Sequence, residues 1–166
     1  MTQSIKPTHP ATQIGHVHLK VADLDRAIAF YSGVLGLEVQ VRLTSGAAIL
    51  GDGGYHHHLG LNTWESLGGT RAPRGHTGLY HTALLYPDRE QLADAVRRVK
   101  QAGYAIEGAA DHGVSEAVYL SDPDGNGVEL YRDRPEAEWP RDAEGNLEMF
   151  NAPLDMDQLL AEAPAA

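Results

Sequence analysis

Two stretches of the chain share one alternation of polar and apolar positions. The segment His16-Val-His-Leu-Lys-Val-Ala-Asp23 recurs 65 residues further on as His81-Thr-Ala-Leu-Leu-Tyr-Pro-Asp88. Such alternation over a short run is typical of a strand with one buried face. Because self-similarity along a sequence indicates duplicated structural units, the chain is predicted to contain two copies of one module.

In each copy, an Asp at the end of the strand precedes a stretch with the apolar spacing of an amphipathic helix. Gly36 and Gly103 are placed to end these helices, and Asp88 with Gln91 matches a capping box. The apolar positions that define the two helical faces are Leu24, Ile28, Tyr31 and Leu35 in the first copy and Leu92, Val96 and Val99 in the second.

Short strand candidates with glycine-rich turns follow each helix. The motif Asp122-Pro-Asp-Gly-Asn-Gly127 is a strong turn signal between the last two of them. Each module is therefore predicted as β-α-β-β-β, and the fold class as α+β with two curved mixed sheets that enclose a metal site. The candidates are residues 37–43, 47–50 and 58–62, then 104–107, 117–120 and 127–131.

The modules, at about residues 14–64 and 78–132, are expected to form a single domain over residues 14–132. The segment between them holds several glycines and prolines, and it is either a linker or a loop that closes over a site. Residues 133–166 are predicted as a tail that packs on the domain or on a partner subunit. A short amphipathic helix in this tail is suggested by Met156, Leu159 and Leu160.

Charge and composition narrow the classes of partner. With 13 Lys and Arg against 23 Asp and Glu, the formal net charge of -10 disfavours nucleic acid and anionic membrane surfaces. No apolar run is long enough to span a bilayer, and residues 1–10 lack the apolar core of a signal peptide, so a cytoplasmic location is expected. The sequence contains neither a phosphate-binding Gly-Lys loop nor a serine nucleophile elbow.

Three residues are predicted to bind one metal ion. His16 and His81 hold equivalent places on equivalent first strands, so two facing sheets would bring both imidazoles to one centre, where Glu129 could add a carboxylate. Since the chain has no cysteine, any metal must bind nitrogen and oxygen ligands. Two imidazoles and one carboxylate leave open positions in an octahedral shell, which suits a non-haem Fe(II) that activates oxygen.

These motifs resemble those of a known family, the glyoxalase, bleomycin-resistance and extradiol dioxygenase superfamily of vicinal oxygen chelate proteins. The resemblance covers about residues 14–132. It is carried by His16, Val21-Ala-Asp-Leu24, Phe30-Tyr31 and Leu35-Gly-Leu37, with a repeat from His81. In the glyoxalase branch a glutamate on the last strand of the first module is a fourth ligand. Here Gly60 stands at that position, which disfavours a glyoxalase I function.

The extradiol branch uses two histidines and one glutamate, with a tyrosine ten residues before the glutamate. Residues 119–129 read Tyr-Leu-Ser-Asp-Pro-Asp-Gly-Asn-Gly-Val-Glu, which matches its Tyr-x-x-Asp-Pro-x-Gly-Asn-x-x-Glu pattern. The resemblance implies that Tyr119 and His112, in a His-Gly-Val-Ser segment, hydrogen-bond the ligand oxygens. It is closest to the first half of bacterial two-repeat catechol 2,3-dioxygenase-like proteins, and the second half is missing here.

The resemblance also implies an acid-base histidine within the tract His56-His57-His58. Strand alternation places His57 on the opposite face from its two neighbours, so His57 is preferred, with His58 or a solvent-facing tract as alternatives. His18 shares the face of His16 and would border the oxygen or substrate position. Its alternative is a buried histidine bonded to the backbone.

The function implied is a ring-cleaving extradiol dioxygenase that acts on a catechol-like aromatic diol with O2. The expected cofactor is a divalent metal, Fe(II) first and Mn(II), Zn(II) or Ni(II) as alternatives, and the expected assembly is a homodimer. One rival is a redox-silent, glyoxalase-like lyase or isomerase in which the metal acts as a Lewis acid. The other is a metal-free protein that sequesters an aromatic ligand or drug.

Overall fold

The computed structural model describes residues 7–73 and 75–165, and within them it contains nine strands and three α-helices. The first half comprises β1 (Val17–Lys20), α1 (Leu24–Tyr31), β2 (Glu38–Leu43), β3 (Ala47–Gly51) and β4 (Leu59–Asn62). The second half comprises β5 (Thr82–Tyr86), α2 (Arg89–Gln101), β6 (Ile106–Asp111), β7 (Ser115–Ser121) and β8 (Gly127–Asp133). A 3-10 turn (Glu136–Glu138), β9 (Ala152–Pro153) and α3 (Met156–Ala161) follow.

The strands form two mixed sheets, in the orders β1-β4-β3-β2 and β5-β8-β7-β6-β9. In each sheet the first and last strands of the module pair in parallel, and the other pairs are antiparallel. A parallel pair requires a crossover connection, which α1 and the following strands provide in the first module. The predicted α+β class and the repeated β-α-β-β-β order are confirmed.

One face of each sheet packs against the helices, and the opposite face is called the open face here. The central strands β3 and β4 of the first sheet are nevertheless buried on both faces. On α2, the predicted face is confirmed, since Leu92, Val96 and Val99 are fully buried. On α1, the regular helix ends at Tyr31, one turn earlier than the predicted face suggests. Beyond it the amides of Gly33 and Leu35 donate to carbonyls five residues back, so the backbone widens while Leu35 stays in the core.

The turn between β7 and β8 joins the two modules. The buried carboxylate of Asp122 accepts a hydrogen bond of 3.0 Å from the Tyr31 hydroxyl on α1. Two residues on, the Asp124 carboxylate accepts from the Ala22 amide at 3.1 Å and from Arg26 at 2.6 Å. Burial, and then the charge of Asp122, raise the pKa of Tyr31 far above its ordinary value, so its hydroxyl remains a donor.

The chain after β8 folds back onto the second module. β9 extends the second sheet by pairing with β6, and α3 packs on α2 with Leu159 fully buried. Beneath the sheet, the buried carboxylate of Glu116 accepts from Arg89 at 2.9 Å, Arg132 at 3.0 Å and Arg134 at 3.0 Å. Among the described residues, no helix has both the length and the apolar character needed to cross a bilayer.

The bond between Tyr31 and Asp122 should contribute measurably to stability. Tyr31→Phe leaves a buried carboxylate with one donor fewer, so we expect the free energy of unfolding in urea to fall by about 1.5–3 kcal/mol. The matched control is Tyr104→Phe, whose ring packs edge-on against Phe30 and whose hydroxyl has no hydrogen-bond partner among the described residues. It should cost less than about 0.5 kcal/mol. Equal losses in the two variants would contradict the assigned role.

Candidate metal centre

The open face of the second sheet gathers three of the predicted site residues. Tyr119 on β7 pairs directly with Glu129 on β8, so both side chains point to the same face. Ala83 on β5 pairs with Glu129 from the other side, and His81 lies two residues before it. Gly127 permits this approach, because a Cβ there would meet the Tyr80 carbonyl oxygen at 2.1 Å.

A line of hydrogen bonds connects these side chains. His81 Nε2 lies 2.8 Å from Glu129 Oε2, and the Tyr119 hydroxyl oxygen lies 3.1 Å from Glu129 Oε1. His112 Nε2 lies 2.8 Å from the same hydroxyl. Burial, followed by the charge of Glu129, raises the pKa of Tyr119 to about 12, so the phenol stays protonated at neutral pH.

The other end of this line is bound to the C-terminal segment. His112 Nδ1 lies 3.0 Å from the main-chain carbonyl oxygen of Phe150. His112 itself lies in the turn between β6 and β7, which its own amide closes by donating to the Ser115 carbonyl at 2.9 Å. The residue pattern around His112 contains no signal for the Phe150 contact, because the partner is a backbone group.

The first sheet carries the remaining predicted histidines. The rings of His16, just before β1, and His57, just before β4, stack with centroids 4.1 Å apart. Partial burial of the His57 ring, with smaller contributions from the imidazole of His16 and others nearby, lowers the pKa of His57 below its ordinary value. His57 Nε2 is buried without a hydrogen-bond partner among the described residues. This nitrogen is therefore a buried polar atom whose hydrogen-bonding capacity is unused.

His18 lies across Gly60, its partner in the β1–β4 register. A Cβ on Gly60 would meet the His18 ring at 2.7 Å, so no side chain fits there while the ring holds this place. His18 is exposed, with its ring centroid 5.6 Å from that of Trp64. It is therefore not the buried histidine of the alternative interpretation.

His58 lies with the β3–β4 turn. Its Nδ1 accepts from the Asp52 amide at 3.2 Å, and its ring lies 4.6 Å from that of Tyr55, which also contacts His56. His57 thus stacks on His16, whereas His56 and His58 both contact the ring of Tyr55. None of the three lies within a strand, so which of them faces the site stays a prediction.

The structure brings together two of the three predicted metal ligands. His81 and Glu129 present nitrogen and oxygen 2.8 Å apart, the spacing of two cis ligands that each lie about 2.1 Å from one metal. His16 is not in this group: over residues 7–73 and 75–165, no three His, Asp or Glu side chains lie close enough to hold one ion. The donor pair of the second sheet fits a divalent metal, and the described residues supply no third His, Asp or Glu beside it.

A cleft of about 480 Å³ opens beside His81 and Tyr119. One wall residue that no motif indicates is Arg71, from the segment between the modules. Its side chain lies across Gly125 and donates to Ser121 Oγ at 3.4 Å. An arginine in a loop of unknown path carries no signal of this kind, because only the fold brings it to the cleft. The cleft is lined by Arg71, Tyr80, His81, Glu107, Gly108, Tyr119, Leu120, Ser121, Gly125, Gly127 and Val128.

Comparison with known proteins agrees with this architecture. The chain is 44% identical over 156 residues, 93% of its length and 53% of the relative, to a catechol-2,3-dioxygenase of Bacillus subtilis. It is 30% identical over 121 residues, 73% of its length and 63% of the relative, to a biphenyl-2,3-diol 1,2-dioxygenase of Rhodococcus globerulus. The chain therefore spans only about half to under two thirds of these curated relatives.

A solved structure shares the fold as well. A lactoylglutathione lyase from Agrobacterium tumefaciens superposes with a TM-score of 0.59 at 28% identity, over 74% of this chain and 95% of that one. The sequence profile of the Glyoxalase/Bleomycin resistance protein/Dioxygenase superfamily matches residues 13–130, from before His16 to just after Glu129. With its two β-α-β-β-β modules, the chain belongs to this superfamily.

Proposed function

We propose that the protein is a metal-dependent extradiol dioxygenase that cleaves a catechol-like aromatic diol with O2. The observation that carries the proposal is the line His81, Glu129, Tyr119 and His112 on one open sheet face. It combines a carboxylate and an imidazole for a metal with a phenol and a second imidazole that can bind substrate oxygens. The similarity to catechol and biphenyl-diol dioxygenases supports the same chemistry.

His81, Glu129 and His16 would hold the metal, with Fe(II) preferred over Mn(II), Zn(II) or Ni(II) because a two-histidine, one-carboxylate set with open positions suits iron that activates O2. Bound there, the metal would supply Lewis acidity and open positions for the two catechol oxygens and O2. The Tyr119 hydroxyl, 3.1 Å from Glu129 Oε1, packs beside the carboxylate whose other oxygen faces His81.

The remaining residues bind and move protons. His57 is favoured over His58 as the base that takes a proton from the catechol, because its Nε2 is unpartnered beside His16, whereas His58 is bound to Asp52. The Tyr119 phenol, protonated at neutral pH, donates a hydrogen bond, and His112 lies behind it. His18, two residues after His16, would border the substrate position.

We further propose that the working protein is a homodimer in which His16 comes from one subunit and His81 with Glu129 from the other. The first sheet contributes His16 and the second contributes His81 and Glu129, and His16 is not grouped with the other two within the described chain. On the second sheet the open face also exposes Leu85, two residues from Ala83 on β5 and 57% accessible. A second copy would cover these apolar side chains and complete the centre.

The proposed rivals differ in redox chemistry. The likeness to a lactoylglutathione lyase favours a redox-silent reaction as the second candidate, but Gly60 with the His18 ring over it leaves no side chain to act as a fourth ligand there. A protein that only sequesters an aromatic ligand would not need the close pairing of His81 with Glu129.

Oxygen uptake tests the chemistry directly. After anaerobic reconstitution with Fe(II), we expect O2 uptake with a panel of catechols and formation of a yellow ring-cleavage product. Glu129→Ala should abolish both, while Glu38→Ala, a surface carboxylate change on β2, should leave both intact. Metal binding without uptake across the panel would favour the lyase or isomerase, and absence of metal binding would favour the sequestering protein.

Neighbouring histidines give a matched pair for the acid-base role. His57→Gln should lower kcat about 100-fold or more, as expected when a general base is lost, with the iron content unchanged. His58→Gln, one residue away, should stay near the wild-type rate because its ring serves the turn at Asp52. The readout is initial O2 uptake normalised to bound iron. The reverse order of the two variants would assign the base to His58.

Mixed dimers test the shared site. When His16→Ala and Glu129→Ala chains are co-expressed, random pairing gives half mixed dimers, each with one intact site of two, so about a quarter of wild-type iron and O2 uptake should return. The control mixes His81→Ala with Glu129→Ala, whose defects lie in the same module, and should recover nothing. No recovery in the first mixture would place all three ligands within one chain.

A further inference from the structure

A residue beyond the second module, Phe150, contacts His112, the last side chain in the line of hydrogen bonds His81, Glu129, Tyr119 and His112. His112 and Phe150 are joined twice: the Phe150 amide donates to the His112 carbonyl at 3.3 Å, and His112 Nδ1 lies 3.0 Å from the Phe150 carbonyl oxygen. The Phe150 ring also lies against Gly113, where a Cβ would meet Phe150 Cε1 at 2.6 Å. Two hydrogen bonds and one ring contact therefore join Phe150 to His112 and Gly113.

The segment on both sides of Phe150 is anchored. Immediately after it, Ala152 pairs with Asp111 and Pro153 with Ala110 as β9 joins the sheet. Before it, the hairpin that pairs Arg141 with Leu147 is closed by a tight turn, and the Glu148 amide donates to the Pro140 carbonyl at 2.9 Å. The Phe150 carbonyl is thus held in place by the fold of the tail and not by the histidine alone.

The hydrogen-bond partners of His112 restrict which of its two ring nitrogens carries a hydrogen. A carbonyl oxygen only accepts, so His112 Nδ1 must carry a hydrogen to bond Phe150. The Tyr119 hydroxyl has one hydrogen, which goes either to His112 Nε2 or to Glu129. In the first case His112 is neutral with a lone pair on Nε2, and in the second it carries both hydrogens. Both arrangements keep Nδ1–H, and both exclude the neutral Nε2–H form.

We propose that Phe150, through its main-chain carbonyl, is a positioning residue that holds His112 as the Nδ1–H tautomer with Nε2 directed at Tyr119. The tautomer of a histidine is set by the hydrogen bond that its other nitrogen makes. This inference rests on the proposed function only where it assigns His112 a part in the reaction. The tautomer and its dependence on the tail are properties of the folded chain whatever the reaction.

Nitrogen NMR of the full chain labelled with ¹⁵N-histidine reads the tautomer directly. The Zn(II)-loaded protein keeps the spectrum diamagnetic, and His112→Gln identifies the His112 signals. At a pH where the ring is neutral, we expect protonated-nitrogen shifts at Nδ1 and a lone-pair shift at Nε2. The opposite assignment in the wild-type protein would overturn the proposal, and it would do so whether or not the protein cleaves catechols.

Two pairs of variants test the dependence on Phe150. Phe150→Gly releases the ring from Gly113, whereas Met149→Gly adds the same backbone freedom at an exposed neighbour. Gly113→Ala pushes on the Phe150 ring, whereas Gly145→Ala has a similar positive φ and no atom within 4 Å. The first variant of each pair should lower the ratio of Nδ1–H to Nε2–H by about tenfold. Unchanged His112 shifts in both, or equal shifts in the controls, would refute the role of the tail.

Discussion

The carboxylate of Asp122 is the constraint on which both the fold and the site depend. Buried at 4% exposure, it accepts from the Tyr31 hydroxyl, from the side chain and amide of Asn126, and from the Asp124 amide. These bonds close the turn between β7 and β8 and so set the register of the two strands. That register places Tyr119 opposite Glu129, and a slip of one residue would turn either side chain to the buried face.

Most of the architecture follows from patterns visible in the sequence. The duplicated alternation around His16 and His81 and the helical spacing from Leu92 to Val99 are strong signals, because one-sided burial imposes them directly. The structure of the tail carries little signal in the sequence, because β9 has only two residues and the contact with His112 is made by the main-chain carbonyl of Phe150. One signal was missed: residues 142–146 read Asp-Ala-Glu-Gly-Asn and repeat the hydrogen bonds of the Asp122 turn.

Part of the candidate site also follows from patterns in the sequence, and part of it does not. The spacing from Tyr119 to Glu129 becomes a direct cross-strand contact. The stacking of His57 on His16 arises outside the strands, where alternation does not apply. The assignment of His16, His81 and Glu129 to one metal stays a prediction. It depends on how two open sheet faces meet, which local periodicity does not encode. The position of the His18 ring depends on Gly60, because the ring occupies the place that a side chain at residue 60 would take.

The modules carry the proposed ligands and the tail contacts His112, and this arrangement matters when the protein is shortened or recombined. The superfamily match ends at residue 130, a natural-looking boundary that retains every proposed ligand and proton carrier. A fragment cut there would lose Arg134, the β9 pairing and the Phe150 carbonyl, and would uncover the surface of α2 on which Leu159 is buried. Such a fragment would keep the proposed ligands and proton carriers without the tail contacts of His112, so the folded unit of this chain is longer than its family signature.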